Sequence, residues 1–453
     1  MAKPGRPRKK PGIDAVENIK VSDAPRVLIK PALPGGFRDA LPEDMIAKNT
    51  MIDTIRSVFE RFGFDPMETP AVERQDVLLG GDDESGKIIF EVRGSQEKES
   101  NPPDRRAGTA LRFDLTVPLA RVLAANPEIP KPFKRYQIGK IWRGERPQFG
   151  RYREFAQMDV DTIGTTSLDA DAEIIQVIYE TLKTLGVDQF VIRINDKRDV
   201  LRRLIEFGIP KERERRTLIA IDKKDKMSPE EWEIAVSEAS GIGLEKTKEY
   251  LWKISGENGL EESIVRDLRL KTEKLGVPQS YLRYDAALVR GFGYYTGAIF
   301  EAALLEIPEI GSVFAGGRFD GLTARFSTQS LPAVGASIGV DRLFAALEHL
   351  GKIKKQKTLT EVLVFDLGEA FEDRYIEFVT ILRKSGVNAT KYLGEDKAFQ
   401  AQLAYAVKQE IPYALIYGDK EKDRNMVQLK NLQANTQQEI AIEKLESTIK
   451  TTR

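Results

Sequence analysis

The sequence predicts an α+β protein built on an antiparallel sheet, with a charged helical insertion and a small α/β domain at its C-terminal end. Three stretches carry that expectation. Trp142 to Asp161, WRGERPQFGRYREFAQMDVD, reads as a hairpin whose second strand alternates Ala156, Met158 and Val160 against Gln157, Asp159 and Asp161, one packed face and one solvent-lined polar face. From Val187 to about Tyr281 the texture turns to charged helical sequence, including KERERR, DKKDK and EEWEIAVSEAS. After residue 360, EVLVFDL, VNATKYL, YALIYG and NMVQLKNL alternate with helical stretches near 370–385 and 396–409.

In chain order, residues 1–32 are rich in Pro and Lys at first and lack periodicity, the mark of a basic tail. Residues 33–350 form the expected main core. Its first helix follows Leu41-Pro42 and runs to about Phe62, with Ile52, Ile55, Val58, Phe59 and Phe62 on one stripe, Gly63 as its stop and FDPMETPAVE extended beyond. Gly81 to Ile88, GDDESGKI, copies the glycine and lysine spacing of a phosphate loop, but Ile88 replaces the hydroxyl residue and three acids would repel phosphate. It reads as a surface loop. In LRFDLT, Arg112 and Asp114 alternate with Leu111 and Phe113, so Asp114 is expected to face a cleft and to suit a substrate ammonium group.

The hairpin's incoming strand puts Arg143 and Glu145 on one face, and the Gly-bearing turn RPQFGR returns the chain antiparallel. Guanidinium forks match phosphate and carboxylate oxygens, so an Arg-rich hairpin ending in acceptors predicts an anionic nucleotide beside a small, cationic or hydrogen-bonding substrate. Leu288 to Glu301, LVRGFGYYTGAIFE, sets one arginine and two tyrosines between glycines that permit close approach of a ligand. GASIGVDRL leads from a strand into an apolar helix with Arg342 in its first turn, a phosphate site at a positive dipole end. Residues 351–360 are a polar linker and 361–453 the second domain.

Composition excludes much. At 453 residues the chain exceeds one compact core, and two or three domains are expected. There are no cysteines and one histidine, His349, which rules out disulfides, thiolate chemistry, a catalytic triad and a histidine metal site. Catalysis must rest on Arg, Lys, carboxylates and backbone. Lys+Arg and Asp+Glu are both 70, so a nucleic-acid partner would meet a local patch and not a net charge. No apolar run of about 20 residues is present and the basic start lacks an apolar stretch, so a cytoplasmic protein without membrane contact is expected.

Together these segments resemble class II aminoacyl-tRNA synthetases, and within them the histidyl family, from about Pro34 to about Lys450. PGGFRD, the first helix and METP look like motif 1, WRGE through GRYREFAQ like motif 2, and GVDR like motif 3. LRFDLT, the spacing from Gln157 to Asp161, LVRGFGYYTG and SVFAGGRFDGL are similar to segments peculiar to the histidyl enzymes. The resemblance implies a class II core, an anticodon-binding C-terminal domain, and ligation of L-histidine to tRNA(His) through histidyl-adenylate, with ATP and Mg2+. It implies catalytic Arg143 and Arg290. ATP would meet Arg143, Glu145, Phe155 and Arg342. Histidine would meet Asp114, Leu115, Thr116, Arg143, Gln157, Asp161, Arg290, Tyr294 and Tyr295. Pro70 would lie in a homodimer interface, and GDKE with Lys430 match similar residues of the anticodon-binding domain. The chain departs from the family's RGLDYY, reading RGFGYY, so Gly293 removes an acidic side chain. Two further readings share these motifs: a histidine-sensing regulatory subunit of ATP phosphoribosyltransferase, and a non-catalytic tRNA-binding module.

Overall fold

The computed structural model describes residues 28–80, 89–94, 108–146, 152–224, 227–254, 263–289, 295–328 and 330–452. Helix α1 (Pro42–Arg61) begins with proline at its first position and acids Glu43 and Asp44 in its first turn, and Gly63 at φ +75° ends it. Its stripe packs as expected, with Met51, Ile55, Val58 and Phe59 buried. Strand β1 (Asp65–Pro66) follows. A three-stranded sheet then forms from β2 (Val72–Arg74), β3 (Phe90–Val92) and β4 (Thr109–Leu111) in the order β2-β4-β3, with α2 (Gln75–Leu79) between its first two strands.

After α3 (Thr116–Ala125) comes the hairpin, β5 (Phe133–Trp142) and β6 (Glu154–Ile163), in continuous antiparallel register from Phe133↔Ile163 to Trp142↔Glu154. Helix α4 (Leu168–Thr184) leads to β7 (Phe190–Asp196) and the helices α5 (Lys197–Glu206), α6 (Lys211–Ile221), α7 (Pro229–Ser240), α8 (Leu244–Ile254) and α9 (Ile264–Lys274). Then follow β8 (Leu282–Tyr284), β9 (Ala298–Leu304), β10 (Ser312–Arg318), β11 (Ala333–Gly339) and α10 (Val340–His349). The main sheet runs β1-β5-β6-β11-β10-β9-β7-β8; all pairings are antiparallel except β1–β5 and β7–β8 at the two edges. One face packs the main core, where Met158, Val160, Ile192, Phe300 and Ile338 meet α1, α4, α9 and α10.

The sequence reading gathered residues 187–281 into one helical insertion, and the structure narrows it. Residues Phe190–Asp196 form β7, seated between β9 and β8, with Phe190, Ile192 and Ile194 in the main core. Helix α9 packs Val265 and Leu268 into that same core. Helices α5 to α8 keep a core of their own, including Val200, Leu204, Leu218, Ile221, Val236, Tyr250 and Leu251. Seven strand residues between charged helices take on the texture of their surroundings, which hid the period-two signal of FVIRIND.

The C-terminal domain contains β12 (Val362–Val364), α11 (Glu372–Lys384), β13 (Ala389–Lys391), α12 (Phe399–Lys408), β14 (Tyr413–Ile416), α13 (Asp419–Arg424), β15 (Met426–Asn431), β16 (Thr436–Ala441) and α14 (Leu445–Thr452). Its sheet order is β13-β12-β14-β15-β16, parallel over the first three strands and antiparallel over the rest. Among the described residues, no helix is long and apolar enough to cross a membrane. The loop Gly81–Ile88 lies outside them.

Candidate active site

A cavity of about 400 Å3 opens on the polar face of the main sheet. Eight of the residues singled out in the sequence line it: Asp114, Thr116, Arg143, Glu145, Phe155, Gln157, Tyr295 and Arg342. They come from four separate stretches of chain. Arg290 and Tyr294 fall outside the described residues, so the position of the third arginine is not part of this geometry. Leu115 is fully buried and does not line the cavity; its carbonyl accepts from Arg135 at 3.3 Å. Asp161 also lies off the cavity wall, paired with the wholly buried Arg135 at 2.7 Å. Pro70 is exposed, its carbonyl 3.3 Å from the Arg112 guanidinium.

Two local expectations about strands fail. Strand β5 ends at Trp142, so Arg143 and Glu145 project from the turn beyond it and not from a strand face. Strand β4 ends at Leu111, and the Asp114 carboxylate instead accepts the Val117 amide in the first turn of α3 at 3.1 Å. Side-chain hydrogen bonds hold both segments beyond their strands. Arg112 turns inward to donate to the Thr69 and Lys140 carbonyls, and the Arg143 Nε donates to the Phe113 carbonyl at 3.0 Å. That bond fixes the Arg143 guanidinium 5.4 Å from the centre of the Phe155 ring and turns its fork toward the cavity.

On the opposite wall, Arg342 sits in the first turn of α10 and donates to the Ser312 carbonyl at 2.7 Å. Its neighbour Asp341 ties that helix start to the sheet: it accepts from the Ala156 amide at 2.7 Å, from Lys48 at 2.7 Å and from Arg38 at 2.8 Å. Burial opposes ionisation of Asp341, yet Lys48, the Ala156 amide and Arg38 together hold its carboxyl below the ordinary range. Asp341 is therefore a fixed anion that anchors the start of α10, the turn that carries Arg342. The GVDR motif pointed to the arginine; the job of its aspartate depends on Arg38 and Lys48, about 300 residues earlier in the chain.

The alternation of β6 is as expected, but its polar face is not solvent-lined. Gln157, Asp159 and Asp161 are all buried, because β5 and β11 flank the strand and Leu115 and Thr116 stand over it. The Asp161 carboxyl is pushed up to about 7 by burial, with Arg135 pulling the other way and Asp159 and Asp114 adding to the rise. Burial likewise raises Asp159, against Arg135, Ser337 and Thr116. Asp114 rises to about 6 through burial, opposed by the Val117 amide and by Arg143. Gly335 is required here: a Cβ on it would land on the Asp161 carboxylate and crowd the Val160 carbonyl. Gly317 similarly admits the Tyr295 ring.

Sequence reasoning missed several contributors. Arg135 gave no signal inside FKRYQIGKIW, and Ser312 and Ser337, which line the cavity, lay within SVFAGGRFDGL and GASIGVDRL without being singled out. Glu301 did close the LVRGFGYYTGAIFE run, and it is held by Arg193 at 3.2 Å. The whole arrangement brings the guanidinium groups of Arg143, Arg146 and Arg342, which suit an anion, into one cavity with the Asp114 carboxylate, the Thr116 hydroxyl and the Gln157 amide, which suit a donor-rich molecule.

Comparison with known proteins agrees with this chemistry. A histidyl-tRNA synthetase family profile matches residues 36–343, and an anticodon binding domain profile matches 361–452. The chain is 37% identical over 431 residues to a histidine–tRNA ligase of Wolinella succinogenes, covering 90% of this chain and 95% of that one. It is 38% identical to one from Rhodopirellula baltica, with 91% and 96% covered. A crystal structure of histidyl-tRNA synthetase from a Nostoc species superposes with a TM-score of 0.82 at 30% identity, covering 94% of this chain and all of that one. With its class II core joined to an anticodon-binding domain, the chain belongs to the histidyl-tRNA synthetase family.

Proposed function

We propose that the cavity is where this chain, a histidine–tRNA ligase, joins L-histidine to ATP before transfer to the 3′ end of tRNA(His). The observation that carries the reading is the meeting of Arg143 and Arg342 with Asp114, Thr116, Gln157 and Tyr295 around one opening. A histidine carboxylate oxygen attacks the α-phosphorus, the bond from that phosphorus to the bridging oxygen breaks, and pyrophosphate leaves with the electron pair. No proton moves in this step. Arg143 neutralises the α-phosphate and the histidine carboxylate, Arg342 the γ-phosphate, and Arg290 the α-phosphate from the other side. Fixed cations lower the barrier without acid–base help, in keeping with a chain that has one histidine. Phe155 stacks on adenine and Glu145 accepts from its amino group.

Asp114 and Thr116 take the histidine ammonium end, with Leu115 shaping the floor beneath them, while Gln157, Tyr294 and Tyr295 surround the imidazole and Asp161 acts from behind. A buried amide and carboxylates reject apolar side chains by leaving polar groups unpaired. Mg2+ would supply charge neutralisation on the triphosphate. Among the described residues no group of three or more candidate ligands gathers, and the cavity carboxylates Asp341 and Glu301 are both already paired with cations, so the ion would be carried by the triphosphate, with no protein side chain assigned to it. The domain at 361–453 serves the anticodon end of tRNA, with GDKE and Lys430 among its contact residues, residues 351–360 link it to the core at 33–350, and 1–32 form a basic tail. We place the enzyme in the cytoplasm as a homodimer with Pro70 in its interface.

Histidine-dependent exchange of pyrophosphate into ATP tests the reading directly; an unaltered chain that exchanges with no dependence on histidine would refute it. The same assay has an expected pH limb. Asp114 must be ionised to hold an ammonium group, and its carboxyl titrates near 6, so the histidine KM should climb as pH falls from 7 to 5. Asp114→Asn should show a KM raised at least about tenfold at pH 7.5, with a shallower acid limb. Equal acid limbs in the two proteins would remove Asp114 from this role.

A further inference from the structure

The floor of the cavity is set by a residue that does not line it. Asp159 is 1% exposed and sits between Gln157 and Asp161 on β6, facing the same way. Its Oδ2 accepts from the Thr116 hydroxyl at 3.4 Å, and Ser337 is its direct cross-strand neighbour on β11. Thr116 and Ser337 both line the cavity. Two buried oxygens here, Asp159 Oδ1 and Gln157 Oε1, have no hydrogen-bond partner. The neighbouring Asp161 is taken by Arg135, so Asp159 is the carboxylate left to govern the hydroxyls.

We infer that Asp159 is a positioning residue that fixes the polarity of the histidine pocket by drawing the hydroxyl protons of Thr116 and Ser337 toward itself and away from the substrate. A serine or threonine hydroxyl has one proton to give and two lone pairs to offer. Once that proton points at Asp159, the oxygen meets the cavity only as an acceptor. The unpaired Gln157 Oε1 is an acceptor as well, and Asp114 is a third kind. The floor thereby favours a ligand rich in N–H donors, which an amino acid carrying both an ammonium group and an imidazole N–H supplies. It disfavours a ligand of the same size that presents acceptors, because each mismatch leaves two lone pairs facing each other in a buried place. This inference rests on the histidine-activating reading given above and adds a specificity-determining residue to it. The Ser337 hydroxyl and Thr116 also help to keep the buried Asp159 carboxyl from rising further.

Asp159→Asn keeps the shape while replacing one acceptor oxygen by an NH2 donor, so it allows both hydroxyls to reverse. In histidine-dependent pyrophosphate exchange the variant should raise the histidine KM at least tenfold while the ATP KM stays within about threefold. A merely structural defect would move both constants and the melting temperature together. Thr116→Val supplies the second test: if Asp159 acts through Thr116, the double variant Asp159→Asn/Thr116→Val should bind histidine no worse than the weaker single variant. Should Asp159→Asn fail to fold, Ser337→Ala, at a residue given no direct hold on histidine, still tests the assignment and is expected to raise the histidine KM and to spare that of ATP. An exchanging Asp159→Asn chain with an unchanged histidine KM would overturn the assignment alone, as would an unchanged histidine KM in Ser337→Ala. Absence of histidine-dependent exchange in the unaltered chain would overturn the reading beneath it as well.

Discussion

Arg143→Ala is expected to lower histidine-dependent pyrophosphate exchange by about 10^3-fold with the fold intact. The guanidinium is held at one end by its Nε bond to the Phe113 carbonyl and stands 5.4 Å from the Phe155 ring centre, so its orientation exists before any ligand arrives. A cation fixed in advance gives up no orientation when charge builds on the phosphoryl oxygens. Arg143→Lys should recover only a minor part of the rate, because an ammonium group cannot hold the Phe113 carbonyl and fork onto two oxygens at once. Steady-state exchange kinetics at saturating ATP and histidine, beside a thermal melt, make the comparison. Activity of the alanine variant within tenfold of the parent would remove Arg143 from the chemistry. Since Arg143 stands on a turn past the end of β5, its loss leaves the sheet ladder unaltered and the melting temperature should hardly move.

Why Arg143 could be picked from the sequence, while its surroundings could not, is a question of range. The period-two pattern of β6 is local, and it correctly separates Met158 and Val160 from Gln157, Asp159 and Asp161. Whether the polar side is wet depends on β11 and on the start of α3, about 180 and 40 residues away, and nothing within the strand records their arrival. The first helix was legible because its stripe, its proline start and its glycine stop are all local signals. The fate of LRFDLT was not, because the strand stops where Arg112 finds carbonyls from two distant segments. Strand β7 shows the same limit: seven residues between charged helices carry too little pattern to stand out, although in the sheet they connect β9 to β8. The motifs marked out residues that line the cavity, and the pairing partners behind them came only from the fold.

Arg135→Met should cost about 3–5 kcal/mol of stability at pH 8, the loss expected when one member of a buried ion pair is removed and the other stays. Arg135 is completely buried, pairs with Asp161 across the β5–β6 ladder at 2.7 Å, and has Asp159 and Asp114 close enough to add to the rise of the Asp161 carboxyl. The sign of the pH dependence follows from that rise. In the unfolded chain an aspartate titrates near 3.9, whereas Asp161 in the fold titrates near 7. Between about pH 4 and 7 the folded state therefore holds a proton that the unfolded state has released, so this group's contribution to stability falls as pH rises through that window. Without Arg135 the carboxyl rises further, and the penalty above pH 7 grows. The deficit of Arg135→Met should accordingly be larger at pH 8 than at pH 5, where the buried acid is protonated and needs no counter-charge. Urea unfolding of both proteins at the two pH values measures this. Adding Asp161→Asn to the methionine variant removes the stranded charge and should restore part of the lost stability at pH 8 while changing little at pH 5. A deficit that is equal at both pH values, or that is untouched by the second substitution, would mean that Arg135 supports the sheet through packing and not by balancing the carboxylates beneath the cavity.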